Sequence, residues 1–161
     1  MSSNFQKVLE FNKAFGVKSN TSVQHEIFDK DPKLVQYRLD LIEEEVDELK
    51  QAIKQKDMTE VIDALADSLY VVLGACASFG FDADEAFDLV HKSNMSKLCK
   101  TEDDAQETVR RYQTEVPQRY DSPAYRRSDC GKYFVVYNQN TMKILKNYKY
   151  NPVSFTSLLE K

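Results

Sequence analysis

Tryptophan is absent from the 161 residues, and glycine and proline occur only four times each. So few turn residues exclude a collagenous, linker-rich or turn-dense all-β chain. Cys76, Cys99 and Cys130 are odd in number, lack CxxC spacing and have no histidine placed to complete a zinc site. A disulfide scaffold is therefore excluded and reduced thiols are expected. Positive charge is not in excess: 22 Lys and Arg stand against 26 Asp and Glu, a formal charge of −4, so a nucleic-acid backbone meets no global attraction. No Gly-rich P-loop occurs, and His25 and His91 have no Ser or Cys beside them at motif spacing, which leaves Walker-type and triad chemistry unsupported. No apolar run approaches the roughly 20 residues that span a bilayer, and MSSNFQKVLEF lacks the apolar core of a signal peptide. These absences predict a cytoplasmic protein that binds neither membrane nor nucleic acid.

What is present favours helices. With 42% hydrophobic and 30% charged residues, the chain suits one domain around one core. Phe5, Val8, Leu9, Phe11 and Phe15 predict a short amphipathic helix that ends at Gly16, followed by a polar loop over 16–31. Asp31-Pro32 supplies a cap and a first-turn proline to a second helix through Val35, Leu39, Ile42, Val46, Leu49 and Ile53. Thr59 is read as the cap of a third helix that stops at Gly80 and is apolar all round beyond Ser68, so it needs protein on every side. Asp82 with Glu85, and Thr101 with Asp104, open a fourth and a fifth helix. KYFVVYN predicts a strand, Asn138–Asn140 a turn, and MKILKNY a returning strand. The expected fold is an all-α bundle of about five helices over 1–120, with a C-terminal extension over 121–161 that carries a small β-hairpin within the same domain.

Carboxylates occur where a solvated helix would not place them. On a 100° projection with Val46 at zero, the apolar arc of the second helix runs from Leu39 near about +20° to Leu41 near about −140°, and Glu45 falls inside it at about −100°. Asp40, Glu43 and Asp47 point the other way, while Glu44 and Glu48 sit at the edge of the arc. Arg38, at about −80°, shares the Glu45 side and needs a partner there, either a structural ion pair or a nucleotide. On the third helix Glu60, Asp63 and Asp67 fall in one narrow arc. Gathered carboxylates in an apolar setting require protons, basic groups or a metal ion for neutralisation, and Mg²⁺, a hard cation that takes oxygen ligands, is the natural choice.

The run E44-E45-V46-D47-E48-L49, then D63-A-L-A-D67-S-L-Y-V-V-L-G, then H91-K-S-N94-M-S-K97 resembles the all-α NTP pyrophosphohydrolase superfamily, which includes the MazG-like and phosphoribosyl-ATP pyrophosphohydrolase-like proteins. The likeness covers about residues 5–98 in the family's order. Its pattern is ExxE, a spacer, then ExxD. Glu45 and Glu48 match the first half. The second half reads either as Glu60-Val-Ile-Asp63, or with Asp67 as its aspartate, which leaves Ala64 where a Glu belongs and gives Asp63 the missing role. The second reading is preferred because DSLYVVLG fits the family context.

The resemblance implies a Mg²⁺-dependent enzyme, with Mn²⁺ as a substitute, that splits a nucleoside triphosphate into monophosphate and pyrophosphate. It implies Glu45, Glu48, Asp63 and Asp67 as metal ligands and Glu44 or Glu45 as the base. It assigns Asn94 and Lys97 to the substrate's phosphates, and Arg38, from its place on the Glu45 side, joins them as a substrate-binding candidate. A homodimer or homotetramer is expected. Phosphoribosyl-ATP hydrolysis and a non-catalytic helical dimerisation module are the competing readings.

Overall fold

The computed structural model describes residues 2–160, which contain seven helices and one two-stranded sheet. The chain divides into two compact units, one running up to Phe87 and resuming at Phe155, the other Asp88–Ser154. These units meet along the chain at 87/88, and within the second the last long helix packs on the hairpin and shares its core.

In the first unit, α1 (Asn4–Phe15) opens with a capping box in which the Ser3 hydroxyl and the Gln6 side chain each accept the other's backbone N–H, and it ends at Gly16 in the left-handed region. The 16–31 segment, expected to be loop throughout, holds one short helix, α2 (Ile27–Lys30). The Asp31 carboxylate caps α3 (Pro32–Gln55) by accepting the Leu34 N–H. For α4 (Met58–Phe79) the cap is Asp57, not Thr59: its carboxylate accepts the N–H groups of both Thr59 and Glu60. A carboxylate at a helix N-terminus also meets the positive end of the helix dipole, which a hydroxyl two residues further on could not.

Packing of α3 on α4 divides each apolar surface into two seams. On α4 the inner seam is Val61, Ala64, Ser68, Val71, Ala75 and Ser78, all buried or half-buried at alternating steps of three and four. On α3 it passes through Arg38, Glu45 and Ala52, seven residues apart. The second seam is open: Ile62 and Leu69 are 64% and 62% exposed, and Leu39, Val46 and Ile53 run along the matching side of α3. The expectation that α4 is enclosed beyond Ser68 therefore holds within this chain only around Gly74–Ser78. By length and composition α4 is also long and apolar enough to cross a membrane, a test that core helices of soluble proteins pass too. It escaped the sequence reading because Asp63 and Asp67 interrupt its apolar run. A cluster of Phe5, Ala77 and Ala83, with Leu9, Leu73 and Cys76, joins α1 to the α4 end.

Loop 16–26 clasps that end. Asn20 N–H donates to the Ala77 carbonyl at 2.9 Å, the Asn20 amide donates to the Ser78 carbonyl at 2.6 Å, and Gln24 N–H donates to the Phe79 carbonyl at 2.9 Å. Gly80, at φ +85°, permits this approach, since a Cβ there would lie 1.9 Å from the Ser22 carbonyl oxygen.

The second unit contains the C-terminal part of α5 (Ala83–Met95), then α6 (Glu102–Thr114), capped by Thr101. α6 packs on an antiparallel hairpin of β1 (Pro123–Arg127) and β2 (Phe134–Asn138), in which Pro123 faces Asn138 and Arg127 faces Phe134. Cys99, Ala105, Val136 and Leu145 form the core. The partner of KYFVVYN is thus the upstream PAYRR, and the expected return strand MKILKNY contributes only the isolated bridge Tyr137–Ile144. Met142 adopts φ +58°, and Asn147 turns inward to donate to the Leu98 carbonyl at 3.0 Å, so this stretch leaves the ladder early. The terminal helix α7 (Thr156–Leu159) belongs to the first unit, where its Leu159 carbonyl lies 3.1 Å from His25 Nε2.

Candidate active site

Burial on α3 centres near Arg38, Glu45 and Ala52 rather than on Val46, which places Glu45 on the face turned to α4. Its Oε2 is buried and accepts no hydrogen bond; among the described residues only Glu115 Oε2 shares that state. An orphaned buried carboxylate oxygen costs free energy, so such an atom needs a reason. Loss of surrounding water pushes the Glu45 carboxyl above the usual carboxylate range, and the negative fields of Glu48, Asp67, Glu44 and Asp63 push it further the same way. The α3 and α4 acids therefore share one electrostatic site with Glu45 as its most enclosed member.

The other acids are more open. Glu44, Glu48, Asp63 and Asp67 are exposed, as is Glu60. Among the described residues no three His, Cys, Asp or Glu side chains are drawn together as a ready ligand set. The donor chemistry still fits a hard divalent cation: all the groups are carboxylates, one oxygen lacks a partner, and mutual repulsion is what a cation would relieve. Ala64, the departure from ExxD, is buried in the inner seam beside these acids.

Arg38 does not form the expected ion pair. It is 8% exposed, its Nε donates to Ser78 Oγ at 2.8 Å, its guanidinium lies over the Tyr37 ring at 5.7 Å, and no carboxylate pairs with it among the described residues. A Cβ on Gly74 would come within 3.1 Å of it, so the small residue makes its room. Ser78 was missed by the sequence reading, although its place in the three-four spacing of the inner seam was there to be found.

Asn94 and Lys97 belong to the second unit, at the last turn of α5 and just past it. Lys97 Nζ donates to Asn94 Oδ1 at 2.7 Å, so the two side chains act as a pair.

Residues 8–94 match the profile of the phosphoribosyl-ATP pyrophosphohydrolase family. The chain belongs to that family. The match takes in Arg38, all the α3 and α4 acids and Asn94, and it stops three residues short of Lys97. Membership of the phosphoribosyl-ATP pyrophosphohydrolases places the chain in the MazG-like all-α NTP pyrophosphohydrolase superfamily and supports a pyrophosphohydrolase-type function. An uncharacterized protein of Acanthamoeba polyphaga mimivirus is 31% identical, over 98% of this chain and 96% of its own length. That likeness continues through the C-terminal half, which the family profile leaves out.

Proposed function

We propose that this chain hydrolyses a nucleoside triphosphate to the monophosphate and pyrophosphate, with Mg²⁺ held by Glu45, Glu48, Asp63 and Asp67 and with Mn²⁺ as a substitute. The unpartnered, buried Oε2 of Glu45 amid four further acids carries this reading. A divalent ion bound there would screen phosphate charge and make a coordinated water more acidic. Glu45 is the favoured base, because the same enclosure that raises its proton affinity makes it a better proton acceptor; Glu44, exposed on the solvent side, is the alternative. The motif resemblance assigns the Asn94 amide and the Lys97 ammonium to phosphate oxygens. Arg38, expected to meet the substrate, gives its Nε to Ser78 and so also ties α3 to α4, which would leave its Nη groups for a nucleotide.

Phosphoribosyl-ATP is the second substrate reading, favoured by the family whose profile matches, whereas KSNMSK favours the nucleotide-pool branch. Pyrophosphate release from a panel of nucleoside triphosphates and phosphoribosyl-ATP, with Mg²⁺ and with EDTA, separates them. Turnover of triphosphates in Mg²⁺ alone is expected. Turnover restricted to phosphoribosyl-ATP would transfer the assignment, and none at all would leave a helical assembly module, in keeping with Ala64.

The open seam of Ile62, Leu65, Leu69 and Val72, with Leu39, Val46 and Ile53, supports a homodimer or homotetramer. Sedimentation equilibrium over a wide dilution range is expected to show no active species at the 18.6 kDa monomer mass.

A further inference from the structure

The expectation that the chain meets no nucleic acid rests on a whole-chain charge of −4, and the second unit does not share that sign. Residues 88–154 carry 12 Lys and Arg against 8 Asp and Glu, and five of those acids precede residue 108. From Arg110 to Tyr150, nine cations stand against three acids, Glu115, Asp121 and Asp129. Folding draws part of this stretch around a groove of about 420 Å³ beside the C-terminal half of α6, lined by Arg111, Tyr112, Glu115, Arg119, Lys146 and Tyr148. Cations and aromatic rings interleave along it. The Arg111 guanidinium stands over the Tyr148 ring at 4.3 Å, Lys146 Nζ over Tyr150 at 4.6 Å, Lys149 Nζ over Tyr148 at 5.1 Å, and Lys143 Nζ over Tyr120 at 5.4 Å. Tyr120 meets Tyr112 edge to face at 5.4 Å, and the Tyr112 hydroxyl donates to the Lys146 carbonyl at 3.0 Å, which joins the Lys143 end to the Lys146 end.

The acids within reach are each paired with a cation: Glu107 with Arg110 and Arg111, Glu115 with Arg119, and Asp104 with Lys149. Lys143 and Lys146 are exposed, and their ammonium groups have no hydrogen bond or ion pair among the described residues. A cation resting over an exposed ring is held less firmly than one hydrogen-bonded to a phosphate. An arriving phosphate can therefore draw the ammonium aside and free a ring face for the base attached to it. Only a strand with unpaired bases uses both features, because a duplex keeps its base faces stacked and an acidic peptide offers charge alone.

We propose that this groove and the tyrosines around it bind single-stranded nucleic acid, with phosphates at Arg111, Lys143 and Lys146 and bases on Tyr120, Tyr148 and Tyr150. Every residue involved lies within the second unit, and none of them enters the pyrophosphohydrolase reading. Phosphates and base faces are common to RNA and DNA, so the two strands are expected to bind alike.

Fluorescence anisotropy of labelled oligouridylate and oligothymidylate, about twelve nucleotides long, titrated with the full chain in EDTA, tests this assignment. Saturable binding of both is expected, with affinities within a few-fold of each other. Between about 50 and 200 mM salt the slope of log affinity on log salt should be about −2, from about 0.7 per phosphate at three cations. The Lys143→Ala/Lys146→Ala double variant, altered only at exposed positions, should keep its circular dichroism, weaken binding by about tenfold or more and bring the slope to about −0.7. Tyr148→Ala should weaken binding by about fivefold or more, the loss of one stacked base, with the slope unchanged, and Tyr148→Phe should retain most of the affinity. No saturable binding, or unchanged affinity in the double variant, would overturn the site. A duplex of the same length, or polyglutamate, that binds as tightly as the single strands would overturn the nucleic-acid assignment and leave a patch for any polyanion.

Discussion

The two units solve opposite problems with the same chain chemistry. The helical unit is acidic and leaves an apolar seam open, while the hairpin unit is basic and covers its own apolar core; each holds one buried carboxylate oxygen without a partner, Glu45 Oε2 in the first and Glu115 Oε2 in the second. In the second unit Thr108, Asn138 and Asn147 are buried, yet each is bonded; the Asn138 Oδ1, for example, accepts from the N–H groups of Asn140 and Thr141 at 3.0 Å. The family profile ends at residue 94, close to the division at 87/88. What the chain shares with its family thus lies mostly in the acidic unit, where the open seam and the crowded carboxylates are what a metal, a substrate or another subunit can use. A whole-chain charge of −4 conceals this asymmetry, and the argument against a nucleic-acid backbone rests on that whole-chain figure.

The sharpest way to break the comparison is to neutralise the acids. Glu48→Gln and Asp67→Asn are each expected to reduce Mg²⁺-dependent pyrophosphate release by about a hundredfold or more, on the scale of losing one preorganised electrostatic group, with the fold intact by circular dichroism. Near-normal turnover in both would remove the metal site from α3 and α4. Next, Leu145→Ala, which empties a 1% exposed position in the hairpin core, should cost about 2–5 kcal/mol in urea denaturation. A loss below about 1 kcal/mol would mean that this core is not close-packed.

A smaller effect of opposite sign distinguishes the acidic unit. Glu45→Gln should raise the melting temperature in EDTA at neutral pH by about 2–4 °C, which corresponds to roughly 1 kcal/mol in a protein of this size. It removes a charge that burial and four neighbours oppose, and its amide can donate to those neighbours. A lowered melting temperature would show that Glu45 is structurally paired after all. The smallest effect belongs to the pair of exposed Lys149 and half-buried Asp104. The hydrogen bond from Lys149 holds Asp104 below its ordinary 3.8, so its contribution is present above that value and disappears as pH falls through the lowered one. Lys149→Ala should therefore narrow its melting-temperature deficit against the parent as the pH falls from about 5 to below about 3. A constant deficit across that range would exclude the linkage.

Much of the helical unit was legible because its signals are local. Asp31-Pro32, Gly16 and Gly80 mark ends that the structure keeps, and Glu45 stood out as a carboxylate inside an apolar arc. The arc was drawn too wide, since an apolar surface reads the same whether it faces α4 or lies open, and only the packing shows that Arg38–Glu45–Ala52 is the inner line. PAYRR did not read as a strand because it begins with proline and carries two arginines; in the structure Pro123 is the first strand residue, where its missing N–H costs little, and both arginines face solvent. Arg38 was expected to find a carboxylate because buried guanidinium groups usually do, whereas its partner proved to be a serine forty residues away.

The clasp at the end of α4 has a geometric consequence. Ser78 gives its carbonyl to Asn20 and its hydroxyl to Arg38, so the loop, α3 and α4 are pinned at one residue. A helix behaves as a stiff shaft that rises about 1.5 Å per residue, which puts Asp63 roughly 20 Å from the pin. Fixing the angle of a shaft at one end indexes everything mounted along it. A turn of one residue, about 100°, would swing Asp63 and Asp67 away from Glu45 and bring the open Ile62–Leu69 stripe round in their place. The azimuth of the carboxylates is thus set by a loop that contains none of them, and the methyl group that Gly80→Ala would add, meeting the Ser22 carbonyl, would detune it from a distance.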